Sequence, residues 1–225
     1  MSKAFVLLSL FGVILGVVGA VLAVSSSPEE DAFAGARVPP PVYCDFDNPR
    51  RHIRETDSAE QNPLVAEAMY REMLETLVAG YARNGIAPAP VYSGWQRFNI
   101  PPYPSATHGR RLVNNYVNAL GAAEYGRFEQ ARTMPLGTAI AKDSFVVTEE
   151  GRRAAGPLFV MEKMAEGFNE VSGNWRYTMI LPDGSLFGVT QGPGAEKVKF
   201  CIGCHLARET NDHLYFVPPT LCPGG

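Results

Sequence analysis

The most apolar part of the chain is its beginning. Residues 4–24 form an uninterrupted run without a charged side chain, Lys3 precedes the run, and acidic residues follow at positions 29–31. A run of about 20 apolar residues can cross a bilayer as a helix, and the positive charge before it predicts export of the rest of the chain. Because Val-Leu-Ala at 21–23 offers small residues for cleavage, a signal peptide is an equal alternative. Residues 1–24 are therefore interpreted as a signal peptide or an N-terminal membrane anchor.

The pattern then changes from a linker to a helix. Residues 25–41 are polar and rich in proline, which predicts an extended linker. A helix is predicted to begin after Asn62, whose side chain can cap it, and to end at Gly85. Apolar residues recur in it at helical spacing and indicate a stripe that packs on a core: Ala66, Met69, Met73, Leu77 and Tyr81. Residues 86–105 are rich in proline and predict a long loop, so residues 42–107 are interpreted as a helical and loop extension.

From residue 108 onward, short stretches of β-type residues alternate with turns. Strands are predicted over residues 111–118, 138–147, 158–164, 174–181 and 186–190. A helix is predicted over residues 120–132, and Pro182-Asp183-Gly184 predicts a tight turn between the last two strands. Short consecutive strands with close turns favour an antiparallel arrangement. The predicted fold class is therefore α+β, a mostly antiparallel β-sheet with a few flanking helices.

Composition narrows the class of protein without identifying it. Hydrophobic residues make up 46% of the chain and charged residues 19%, which excludes global disorder. The formal net charge is −3, so no basic surplus indicates a nucleic-acid partner. Four cysteines in 225 residues are too few for a disulfide-built miniprotein, so each cysteine needs its own explanation.

The strongest chemical signal is a Cys-x-x-Cys-His motif at residues 201–205. This is the attachment sequence of c-type haem: Cys201 and Cys204 form thioethers with the haem vinyl groups, and His205 binds the iron. A zinc site would need a second cysteine pair at zinc-ribbon spacing, and a thioredoxin-like pair would need a βαβ context. Neither alternative requires histidine at the next position. The motif therefore predicts one covalent haem c near the C-terminus, which agrees with export to the periplasm.

Four segments of the chain occur together in a known family. They are Gly-Thr-Ala-Ile-Ala-Lys at 137–142, Gly-Asn-Trp at 173–175, the haem motif at 201–205 and Asn-Asp-His-Leu-Tyr-Phe at 211–216. With the haem motif close to the C-terminus, residues 108–219 resemble the cytochrome P460 family, which includes the β-type cytochromes c′. The resemblance implies a mostly antiparallel β fold with one five-coordinate haem. It also implies oxidation of hydroxylamine, or binding of nitric oxide or carbon monoxide at an apolar face of the haem.

The resemblance further implies roles for two residues of the sheet. In hydroxylamine-oxidising members the lysine at the position of Lys142 is cross-linked to the porphyrin, so Lys142 is expected close to the haem. Those members carry a carboxylate where this chain has Phe159, which would instead form a dry face that admits small neutral gases. Glu162 is the alternative base, although on a regular strand it faces away from Phe159. From the residues alone, Lys142 as a solvated side chain and Phe159 as plain core remain open.

The remaining cysteines and histidines carry weaker signals. Cys44 and Cys222 lie outside the haem motif, and in an oxidising compartment they are predicted to form a disulfide, with two free buried thiols as the alternative. His108 stands beside Gly109, so it is interpreted as a turn residue in preference to a second ligand of the haem iron.

The predicted function is that of an exported c-type haem protein that oxidises or binds small nitrogen species, hydroxylamine or nitric oxide, at an open haem iron. One alternative is a non-enzymatic binder of nitric oxide or carbon monoxide. Another is an electron-transfer cytochrome, which would need a sixth iron ligand from the protein. The expected partners are the small ligand or substrate, a redox-partner cytochrome and, for an anchored chain, the membrane; a homodimer is compatible with the sequence.

Overall fold

A single antiparallel sheet with helices on its faces makes up the described part of the chain, which in this computed structural model comprises residues 62–217 and Leu221. The helices are α1 (Pro63–Ala82), α2 (Ala122–Tyr125) and α3 (Lys199–Leu206). The strands are β1 (Gln96–Arg97), β2 (Tyr103–Ser105), β3 (Arg111–Val117), β4 (Ala139–Val147), β5 (Arg153–Ala155), β6 (Leu158–Lys163), β7 (Trp175–Ile180) and β8 (Leu186–Val189). The N-terminal run at 1–24, the linker at 25–41 and the cysteines Cys44 and Cys222 lie outside the described residues.

The sheet confirms the predicted fold class. Its strands follow the order β1-β3-β4-β6-β7-β8, with β2 also paired to β3 and β5 to β4. Every pair is antiparallel, as expected for strands joined by short turns. The central strands β4 and β6 are buried along most of their length, and hydrophobic cores form on both faces of the sheet.

Helix α1 covers one face of the sheet. It begins as predicted, because the Asn62 side chain accepts a hydrogen bond from the Leu64 amide at 2.9 Å and proline occupies the first turn. Its apolar stripe packs on β4 and β6 in the first core, together with Phe145 and Leu158. Among the described residues, no helix is both long and apolar enough to cross a membrane.

A buried carboxylate lies in this first core, beneath α1. Tyr70 and Tyr92 donate hydrogen bonds to Oδ2 of Asp143 at 2.6 and 3.0 Å, and the Asn114 amide donates to Oδ1 at 2.9 Å. Tyr116 shares a further hydrogen bond with Tyr70. Burial raises the pKa of Asp143, and these hydrogen bonds oppose that shift because they favour the ionised form.

The second core lies on the opposite face, where the C-terminal part of the chain packs. Trp175 and Tyr177 of β7 belong to it, as does Leu214. Side chains alternate between the faces along each strand, so Lys142 of β4 points to this side while Asp143 points to α1. The two charged residues are neighbours in sequence and occupy different cores.

Two predicted segments differ in the structure. The helix expected over residues 120–132 is limited to the single turn of α2 and a short 3-10 helix at 128–130, because Phe128 adopts a φ of +50°, which a continuing α-helix does not allow. The long loop expected over residues 86–105 contains β1 and β2. These strands have two and three residues, which is too short for an alternating pattern to become visible in the sequence.

Candidate haem site

A cavity of about 590 Å³, partly open to solvent, lies between the second face of the sheet and α3. Side chains from β4, β6, β7, α3, the turn before β3 and the segment after α3 surround it: Thr107, His108, Ile140, Lys142, Phe159, Val160, Met161, Tyr177, Thr178, Phe200, Cys201, Cys204, His205 and Tyr215. The cavity therefore brings together five residues singled out in the sequence: Lys142, Phe159, Cys201, Cys204 and His205.

The imidazole of His205 is held in one tautomer. Its Nδ1 lies 2.6 Å from the carbonyl oxygen of His213, and because a carbonyl only accepts, Nδ1 carries the proton. In the neutral ring, Nε2 is then unprotonated and free to bind a metal. Burial lowers the pKa of His205 to about 4, and the charge of Lys142 contributes to the same shift, so the ring is neutral at pH 7. A metal-binding histidine commonly donates its other ring N–H to a backbone carbonyl in this way.

The turn that presents the His213 carbonyl is held by contacts between two distant segments of the chain, residues 173–175 and 211–216. Asp212 and His213 both adopt left-handed backbone conformations, with φ of 51° and 62°. The indole of Trp175 donates a hydrogen bond to the Asp212 carbonyl at 2.9 Å. A Cβ atom on Gly173 would lie 2.4 Å from the ring of His213, so this position requires glycine. The Gly-Asn-Trp segment thus supports the turn that orients His205.

A buried ion pair between Lys163 and Asp212 also stabilises the turn at residues 212–213. Lys163 donates to Oδ1 of Asp212 at 2.5 Å and to the carbonyl of Gly173 at 2.8 Å. The other carboxylate oxygen of Asp212 accepts from the Met134 amide at 2.7 Å. Both charged side chains are 10% exposed, so their charges are largely removed from water and depend on each other.

Helix α3 places both thiols on the cavity. Cys201 and Cys204 are three residues apart, a spacing that puts them on neighbouring positions of one helix face. Burial raises the pKa of the Cys201 thiol to about 12, whereas Cys204 is exposed. Two thiols and an imidazole with a free Nε2 are the donor set of a c-type haem site, and the residues present fit that group.

Lys142 and Phe159 face each other across β4 and β6 and both line the cavity. Lys142 is 7% exposed, and its amine has no hydrogen-bond or ion-pair partner among the described residues. Burial lowers the pKa of this amine to about 8. Glu162 does not line the cavity. It forms an ion pair with Arg176 at 2.8 Å, as expected for a residue that alternates away from Phe159.

Three cavity residues were not assigned from the sequence. His108 lies in a turn, as predicted, yet its ring also reaches the cavity. Tyr177 is buried, and its hydroxyl has no hydrogen-bond partner within the described residues. This hydroxyl is therefore available to form a hydrogen bond with a group bound in the cavity. Tyr215 packs its ring against His205 at 5.4 Å. Tyr177 could have been found from Trp175, because residues two apart on a strand share a face.

The comparison with known families agrees with this geometry. The model of the cytochrome P460 family matches residues 91–216, which is more than half of the chain. The chain belongs to the cytochrome P460 family. As a member of that family it is a c-type haem protein, and the resemblance inferred from the sequence is confirmed. The matched residues of this P460 protein include β1 and β2 and exclude α1. No curated protein matches the chain at a significant level.

Proposed function

We propose that the chain is an exported haem protein that binds a small nitrogen-containing ligand, hydroxylamine or nitric oxide, at the haem iron. Cys201 and Cys204 would hold one haem covalently, and His205 would be its axial ligand. The observation that carries the proposal is the hydrogen bond between Nδ1 of His205 and the carbonyl of His213, which leaves Nε2 directed to metal binding beside both thiols.

The bound haem would supply an iron centre that coordinates small ligands and exchanges electrons. The protein residues around it have separate tasks. The His213 carbonyl keeps the His205 ring fixed and increases its basicity, and Tyr177 and Tyr215 pack on that ring at 5.2 and 5.4 Å. Phe159 excludes water from one wall of the cavity.

The environment of Lys142 supports a contact with the edge of the porphyrin. A buried amine without a partner is unfavourable when charged, and burial keeps its pKa near 8, so a substantial fraction is neutral at pH 8. A neutral amine is nucleophilic, which is the state required to form a bond to a porphyrin carbon. Because that bond replaces one N–H and one C–H bond, the cross-link would also require an external two-electron oxidant such as a peroxide. A cross-linked Lys142 is therefore part of the proposal.

The lining of the cavity bears on whether the protein only binds hydroxylamine or also oxidises it. Oxidation must remove protons from hydroxylamine as well as electrons, so it needs a nearby base. No aspartate or glutamate is among the described residues that line the cavity, so a carboxylate base is absent there and oxidation would have to use His108 or Lys142. An enzymatic version would also need a redox-partner cytochrome in the periplasm. The electron-carrier alternative would need a second iron ligand, for which the cavity offers Met161 and His108.

Absorption spectroscopy and denaturing mass spectrometry of the purified protein test these roles. Covalent attachment predicts a mass of the chain plus one haem, and extraction of the haem by acidified solvent would refute it. A five-coordinate spectrum is expected, while sharp α and β bands would indicate a six-coordinate electron carrier. A cross-link predicts a red-shifted ferrous Soret band.

Substitution of Lys142 isolates the cross-link from haem attachment. Lys142→Leu should abolish the red shift and leave the haem attached, because the thioethers use only Cys201 and Cys204. Lys142→Arg is the matched control, since it retains a cation of similar length but has no nucleophilic amine. A red shift that persists in both variants would contradict the cross-link.

A further inference from the structure

Besides His205 and Lys142, one more nitrogen base lines the cavity among the described residues. Lys142 carries an amine, and Glu162 is engaged by Arg176 outside the cavity. The remaining basic side chain is His108, which lies in the turn between β2 and β3. This residue has no role in haem attachment, so its place on the cavity wall needs a separate explanation.

The ring of His108 is held by three contacts. Its Nδ1 lies 2.8 Å from Oγ of Ser105, a buried residue at the end of β2, and 3.3 Å from the hydroxyl of Thr107. The ring also forms a T-shaped contact with Phe159, with ring centroids 4.8 Å apart. These contacts fix the ring beside Phe159 and use only one of its two nitrogens.

The second nitrogen, Nε2, has no hydrogen-bond partner among the described residues. Burial lowers the pKa of His108 well below its usual value, and the charges of Lys142 and Arg111 act in the same direction, so the ring is neutral at pH 7. A neutral imidazole offers at Nε2 either a donor or an acceptor, depending on how Nδ1 bonds to Ser105. Either form can hydrogen-bond hydroxylamine, which has both donors and acceptors.

We propose that His108 binds the small nitrogen ligand through Nε2, and that Ser105 is the positioning residue that aims the ring. The inference rests on the proposed function and adds the polar contact that selects the ligand. Phe159 and the aliphatic wall bind any small molecule of suitable size. A hydrogen bond from His108 favours hydroxylamine over carbon monoxide, because carbon monoxide has no donor and is a poor acceptor.

Ligand titrations of the holoprotein test this proposal. Hydroxylamine is added to the ferric protein by rapid mixing without oxygen, and carbon monoxide to the ferrous protein, with the absorption spectrum as the readout. His108→Phe should raise the Kd for hydroxylamine about tenfold, the loss expected for one hydrogen bond. The Kd for carbon monoxide should change less than about twofold, because a ring of similar size still fills the wall.

Two further variants separate the hydrogen bond from the shape of the ring. His108→Gln keeps a donor and an acceptor, so its Kd for hydroxylamine should stay within about threefold of the unmodified protein. Ser105→Ala keeps His108 but frees the ring, so hydroxylamine affinity should fall between those of His108→Phe and the unmodified protein. Its carbon monoxide affinity should not change.

The possible results divide clearly. An unchanged hydroxylamine Kd in His108→Phe would overturn the role of His108 and leave the proposed function intact, and so would equal losses for both ligands. A six-coordinate spectrum that becomes five-coordinate in His108→Phe would make His108 an iron ligand and overturn both proposals. Failure of the unmodified protein to bind either ligand would overturn the proposed function and the inference with it.

Discussion

The ion pair between Lys163 and Asp212 offers the sharpest test of how the protein orients His205. Asp212→Asn removes the negative charge and keeps the size of the side chain. The variant leaves the ammonium of Lys163 buried, with the Gly173 carbonyl as its remaining hydrogen-bond partner. Removing one member of a buried ion pair destabilises a protein by about 3–5 kcal/mol. We expect the lower end, about 3 kcal/mol, because that carbonyl still compensates part of the charge.

Urea unfolding of the holoprotein, followed by far-UV circular dichroism, measures this loss as a shift in the midpoint at unchanged slope. Glu162→Gln is the matched control. This variant breaks the ion pair with Arg176. The side chains of Glu162 and Arg176 are 21% and 35% exposed, and such a pair contributes at most about 1 kcal/mol to the free energy of unfolding. Equal losses in the two variants would show that burial does not strengthen the Lys163–Asp212 pair.

A redox titration tests whether the effect reaches the haem. Asp212 holds the turn whose next residue, His213, gives its carbonyl to His205. A less firmly held carbonyl makes the imidazole a weaker electron donor, which destabilises the ferric state. We therefore expect Asp212→Asn to raise the midpoint potential, whereas Glu162→Gln should leave it unchanged. A variant that is less stable but has an unaltered potential would limit Asp212 to a role in folding.

Three further predictions concern single positions. Gly173→Ala should destabilise the protein by about 2 kcal/mol or more in urea unfolding, because its φ is +59° and the new Cβ meets the ring of His213 at 2.4 Å. Tyr70→Phe removes one donor from the buried Asp143 carboxylate and should cost about 1–3 kcal/mol in the same assay, with no change in the haem spectrum. If Lys142 is not cross-linked, its amine has a lower pKa in the folded state than in the unfolded state, so the unfolded state binds the proton more tightly. The free energy of unfolding should therefore fall as the pH decreases from about 10.5 to about 8. Lys142→Met should show no such pH dependence.

The sequence predicts the parts of this protein that local patterns encode. Asn62-Pro63 marks the start of α1 because capping depends on adjacent residues, and the bounds of β4 and β6 follow from runs of buried β-type residues. The placement of Cys201, Cys204 and His205 on one cavity wall follows from their spacing. In each case the information lies within a few residues of the element it describes.

The remaining parts depend on contacts between distant segments. Lys163 and Asp212 are far apart in sequence, and nothing near either residue indicates a buried ion pair. His108 follows the local rule for a turn, and only the pairing of β2 with β3 and the contact with Phe159 bring its ring to the cavity. Sequence reasoning therefore described its backbone correctly and missed what its side chain meets.

The opposite directions of Lys142 and Asp143 have a consequence for how β4 pairs during folding. A shift of one residue would move the lysine among the tyrosines beneath α1 and the carboxylate into the cavity that faces α3. Asp143 would then lose its three donors, Tyr70, Tyr92 and Asn114, while the amine would enter a core already filled by aromatic rings. The displaced carboxylate would be buried without its donors, and the amine would lie in a filled core instead of a cavity, so mispaired forms of β4 are penalised on both faces at once. The two adjacent charges thus act as a check on strand alignment at the centre of the sheet.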